Sequence, residues 1–172
     1  MRRLRRSLGS IRRLSSFVVF GVLAVCGVHG QDTVLFASKS GWAVRYPVGW
    51  RVLSCRQCDD VRAAGVFVHF EAPGGRGSVM VSPLADQPAG VGVEAWLRDL
   101  SRAVNLNPVV REEWTVLGGV KALRVVHRGV NSVEFACVYV VRGGKSFELL
   151  GTPAGGVAVK EVFASFRFVG AR

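Results

Sequence analysis

Short runs rich in β-branched and aromatic residues, each closed by glycine or proline, dominate the chain from Val34 onward. Runs of this length and punctuation predict strands: VLFAS at 34–38, WAVRYP at 42–47, WRVLS at 50–54, GVFVHFEA at 65–72 and GSVMVSP at 77–83. PGGRG at 73–77 supplies the glycines that a hairpin turn between the last two requires. Residues 93–105 change period. Val93, Trp96, Leu97, Leu100, Ala103 and Val104 recur at helical spacing, with Arg98, Asp99 and Arg102 on the other side, which predicts an amphipathic helix packed on a sheet. After Pro108 the strand pattern returns in VVREEWTVLGG, VKALRVVHRG, SVEFACVYVVRGG and KSFELLG. In the third of these, Val133, Phe135, Cys137, Tyr139 and Val141 alternate with Ala136, Val138 and Val140. A strand apolar on both faces belongs in the middle of a sheet covered on both sides. Val159, Val162, Phe163 and Phe166 then suit a second helix, followed by a short extended tail. The pattern predicts an α+β protein: an antiparallel, meander-rich β-sheet of about six to eight strands flanked by two principal helices in an α/β/α sandwich.

The 172 residues, 49% hydrophobic and 20% charged, suit a globular chain with a real core. The first stretch, MRRLRRSLGSIRRLSS, is basic without an acid and runs into FVVFGVLAVCGV. An apolar run of about a dozen residues matches a signal h-region and falls short of the roughly 20 that a spanning helix needs. Val28, His29 and Gly30 fit a small-x-small cleavage site before Gln31, so residues 1–30 read as a signal peptide and 31–172 as a single domain. A competing reading places a lipid on Cys26, because LAVC resembles a lipobox, with Val25 where that motif wants a small residue. The formal charge of +11 includes six arginines and no acid in that segment, leaving +5 for residues 31–172. This excess is scattered, without a Lys/Arg run or aromatic interleaving, and nucleic-acid binding is not expected.

Three landmarks occur in one order: GWAVRYPVGWRV at 41–52, GGVKALRVVHR at 118–128 and EVFASFRFV at 161–169. Together they resemble the PsbP-like superfamily, which includes the photosystem II extrinsic protein PsbP, DcrB-like and LpqN-like exported lipoproteins, and a Ran-binding nuclear import factor. Members open with a segment like Y-x-x-P-x-G-W, shortened here so that Tyr46 directly precedes Pro47. The resemblance implies an antiparallel sheet sandwiched by helices and a role in binding or assembly, and it carries over no catalytic residue. Pro47 and Gly49 mark a turn, while Trp42 and Trp50 supply large apolar bodies for the core.

The residues with most chemistry are Cys55 and Cys58 in SCRQCDD. In an exported protein a local disulfide is the expected state, or two unpaired cysteines if the compartment is not oxidising. Redox catalysis would need the first thiol at a helix N-terminus, where Asp59 and Asp60 oppose a thiolate. Zinc would need further ligands, and Cys137, His69 and His127 stand isolated on strands. Cys137 reads as a buried small hydrophobe and both histidines as half-exposed sheet residues. Glu112 and Glu113 adjoin on a strand and face opposite sides. The glycine pairs match no phosphate-binding pattern, and no GxSxG occurs. The expected function is therefore an exported, extracytoplasmic, non-enzymatic binding or assembly protein of the cell envelope, with a protein partner and neither cofactor nor metal. Membrane contact is expected only through a lipid on Cys26 or an uncleaved signal. The alternative is a thiol-redox or metal-handling protein working through Cys55 and Cys58.

Overall fold

The computed structural model describes residues 32–54 and 67–170. In chain order these form β1 (Thr33–Ala37), β2 (Trp42–Pro47), β3 (Arg51–Ser54), β4 (Val68–Glu71), β5 (Ser78–Pro83), α1 (Val93–Val104), β6 (Val109–Leu117), β7 (Val120–Arg128), β8 (Glu134–Arg142), β9 (Lys145–Thr152), α2 (Val157–Ser165) and β10 (Arg167–Phe168). Seven strands make one antiparallel sheet in the order β3-β4-β5-β9-β8-β7-β6. Two of its hairpins turn on glycine pairs: Gly118–Gly119 links Leu117 to its partner Val120, and Gly143–Gly144 links Arg142 to Lys145. All four glycines have positive φ, which two-residue hairpins demand and side-chain-bearing residues resist.

The two-faced apolar pattern of β8 decides the layering. Ala136, Val138 and Val140 join Val79, Val81, Phe147 and Leu149 in a core with Val159, Val162 and Phe163 of α2. Cys137, Tyr139 and Val141 join Leu123 and Val125 in a second core with Leu97 and Leu100 of α1. The sheet is thus covered by a helix on each face, the expected α+β sandwich. Gly151 lets α2 sit directly on the β9 backbone, since a Cβ there would lie 2.4 Å from Val159 Cγ1 and 2.8 Å from Phe163 Cζ.

One departure concerns the first strands. β1 and β2 leave the main meander and pair with β10 in a separate three-stranded antiparallel sheet, β1-β2-β10, on the α2 side. Gly49, at φ 88°, turns the chain after Pro47, and β3 then pairs with β4 instead of β2. The small sheet is held by aromatic packing. Phe36 and Tyr46 lie 5.5 and 5.0 Å from Phe70 between ring centroids, and Trp42 stacks on Phe166 at 6.2 Å. The tail was expected to be extended, but its pairing with β2 depends on contacts far apart in sequence: Arg167 opposite Ala43, and Ser165 Oγ accepting the Arg45 N–H at 2.7 Å.

Candidate functional site

Two side chains with a reactive group, a thiol and a phenol, lie under α1. Cys137 and Tyr139 of β8 are 0% exposed, and Asn105, just past α1, donates its amide to Cys137 Sγ at 3.7 Å. Burial first, then the neighbouring Glu148 carboxylate, pushes the Cys137 thiol far above its ordinary 9.0. Burial likewise pushes the Tyr139 hydroxyl above 10.0, with Cys137 and Glu148 adding to the shift. Both groups stay neutral, so the thiol is a packing group and not a nucleophile.

His127 corrects an expectation, since it is 1% exposed rather than half-exposed. Its Nδ1 lies 3.0 Å from the Asn107 carbonyl, which only accepts, so Nδ1 carries the proton. The ring stacks on Phe135 at 5.3 Å, and Nε2 has no partner among the described residues. The α1–β6 connection that covers it is remote in sequence from β7, so strand periodicity could not reveal the burial. His69 is half-buried on β4 opposite Leu53 and Met80. Glu112 pairs with Arg98 of α1 at 3.4 Å, while Glu113 accepts from Arg124 at 2.6 Å on the other face, as alternation requires. No cluster of three His, Cys, Asp or Glu side chains suited to a metal occurs among the described residues. Cys26, Cys55 and Cys58 lie outside them.

The surface offers a different kind of site. Register places Arg51 opposite Glu71, Glu71 opposite Ser78 and Ser78 opposite Thr152, a single row across β3, β4, β5 and β9. The residues beyond that row therefore collect at one end of the sheet. They line a groove of about 410 Å³ between the β2–β3 turn, the β4–β5 turn and the start of α2. Trp50 is half-buried at its floor, with its indole edge against Gly77, while Val48 and Val157 stand 60% and 73% exposed. Each wall is fixed by a backbone bond: Trp50 N–H to Pro47 at 3.2 Å, Ala72 N–H to Gly77 at 2.8 Å and Gly156 N–H to Pro153 at 3.0 Å. Trp50 packs against the α2-side core, as its apolar bulk implies, and it also lines this groove, which strand periodicity does not show because its walls come from three distant turns.

Other depressions lie beside charge pairs. At the opposite end of β9, Lys145 binds Asp86 beside Leu84 and Phe147. Beside β6, Arg111 and Arg124 share Glu113.

An antiparallel sheet with α1 on one face and α2 on the other is the architecture that the three sequence landmarks implied, and the small sheet on the α2 side is an addition to it. No protein-family model and no curated protein matches the sequence. Solved structures do match it. The fold is similar to the solution structure of cyanobacterial PsbP (CyanoP) from Synechocystis sp. PCC 6803, with a TM-score of 0.57 at 16% identity over 86% of this chain and 99% of that one. A crystal structure from Bacteroides thetaiotaomicron VPI-5482 is similar with a TM-score of 0.51 at 12% identity, over 81% of this chain and 49% of that one. The chain has a PsbP-like fold. Among the described residues no helix is long and apolar enough to cross a membrane.

Proposed function

We propose that this is an exported, extracytoplasmic protein of the cell envelope that binds or assembles with a protein partner and catalyses no reaction. In this reading residues 1–30 direct export and residues 31–172 act as one domain. The observation that carries it is the placement of chemistry against the placement of surface. Cys137 and Tyr139 are sealed beneath α1 and His127 beneath the α1–β6 connection, whereas the accessible groove beside α2 is lined by Val48, Trp50, Pro73, Arg76, Pro153 and Val157, which carry no nucleophile or general acid–base group. The PsbP-like fold and the basic, then apolar N-terminus support the same reading.

The test is intact mass of the protein from its native envelope, before and after reduction and alkylation, combined with chemical cross-linking. The expected result is a chain beginning at Gln31, or one lipidated on Cys26, with Cys55 and Cys58 bridged and a stoichiometric protein cross-link. A chain retaining residues 1–30 and found in the cytoplasm would overturn the location. A turnover abolished by one polar substitution, or a redox-active Cys55 with a depressed thiol pKa, would overturn the function.

A further inference from the structure

The groove beside α2 carries two exposed valines and a half-buried tryptophan, and among the described residues one charged side chain lines it. That side chain is Arg76, whose Nε–H reaches the Pro73 carbonyl at 3.4 Å and whose guanidinium forms no ion pair among the described residues. α2 opens without a side-chain cap and without an acid in its first turn. Its first helical bond runs from Lys160 N–H to Gly156, so the amides of residues 157–159 are left over at the mouth of the groove. Apolar walls beside an unpaired guanidinium select an occupant that is apolar and carries one negative charge.

We infer that the groove docks a short extended peptide segment of a partner protein, with apolar side chains against Trp50, Val48 and Val157 and one carboxylate on Arg76. This deepens the binding role proposed above and rests on it. A volume of about 410 Å³ falls within the range of small-ligand pockets, about 300–1,000 Å³, so the groove can take only a short stretch of such a segment. A membrane surface is the weaker fit, because anionic bilayers are held by clusters of about four to eight basic residues, and Arg76 stands alone in this lining.

The experiment titrates the isotopically labelled full chain, as recovered from the envelope, with acetyl-Leu-Asp-Leu-Leu-amide and with its Asn counterpart, following the Trp50 indole N–H and the amides of residues 77 and 157–159 by NMR. The Asp peptide is expected to shift these resonances and bind about threefold more tightly than the Asn peptide, the scale of an exposed ion pair. Arg76→Gln should erase that difference. Val157→Asp should abolish binding, because it sets the protein's own carboxylate at the start of α2, and it should keep or raise Tm because an acid there suits the helix dipole. Equal affinity for the two peptides, or no shift in these resonances, would overturn the inference. A larger response to phosphatidylglycerol vesicles than to either peptide would overturn it in favour of a lipid surface. Envelope cross-links that map to other faces would overturn the groove assignment and leave the binding role standing, whereas a turnover would remove both.

Discussion

Gly151 shows how one residue sets the spacing of two layers. Its missing side chain lets Val159 and Phe163 approach the β9 backbone, and no flexible group is available to move aside. Gly151→Ala is therefore expected to destabilise the fold by about 1–3 kcal/mol, read as a lower urea midpoint with an unchanged m-value. Cys137 and Tyr139 set the response to alkali. The unfolded chain releases their protons near 9.0 and 10.0, and the folded chain retains them. Above about pH 9 the unfolded state therefore binds fewer protons, and stability falls as pH rises, by about 1.4 kcal/mol per pH unit for each group ionised only when unfolded. The urea midpoint should hold steady near neutral pH and drop above pH 9, and Tyr139→Phe should flatten the upper part of that drop.

At the scale of elements, α1 is held by a narrow stripe. Leu97 and Leu100 are buried, and Trp96 donates its indole N–H to Ser146 at 2.9 Å. The surrounding ion pairs, Glu94 with Lys121 and Arg98 with Glu112, are a third or more exposed and contribute little. Leu97→Ala should cost about 2–5 kcal/mol by thermal unfolding, whereas Glu94→Gln should leave Tm nearly unchanged. The outer strand β6 is long and, among the described residues, unpaired on one side, yet Arg111, Glu112 and Glu113 lie along it and a bulge interrupts it between Val109 and Arg111. Charge and irregularity of this kind discourage edge-to-edge association.

At the scale of the molecule, the three-stranded sheet depends on the C-terminal tail. Phe166 stacks on Trp42, Phe168 lies 5.1 Å from Phe166 and 5.9 Å from Phe147, and Val169 N–H bonds to Gly41 at 2.9 Å. Truncation after Ser165 removes this aromatic lid from one of the two cores. A loss of several kcal/mol is expected, seen as reduced near-ultraviolet circular dichroism from Trp42 at temperatures where the full chain stays folded.

Local rules by themselves determined the strands from β1 to β9, the period of α1, the double-faced centre of β8 and the division of Glu112 from Glu113. Each follows from alternation or helical spacing within a dozen residues, and each is present in the folded chain. The tertiary structure alone decided that β1 and β2 desert the main sheet, because that choice rests on Gly49 and on the pairing of β2 with a tail 120 residues away. It alone buried His127 under the α1–β6 connection. It also assembled the groove from three turns that meet only because β3, β4, β5 and β9 end in register. Periodicity reports which face of an element is apolar, whereas a site made of element ends depends on how the elements are paired.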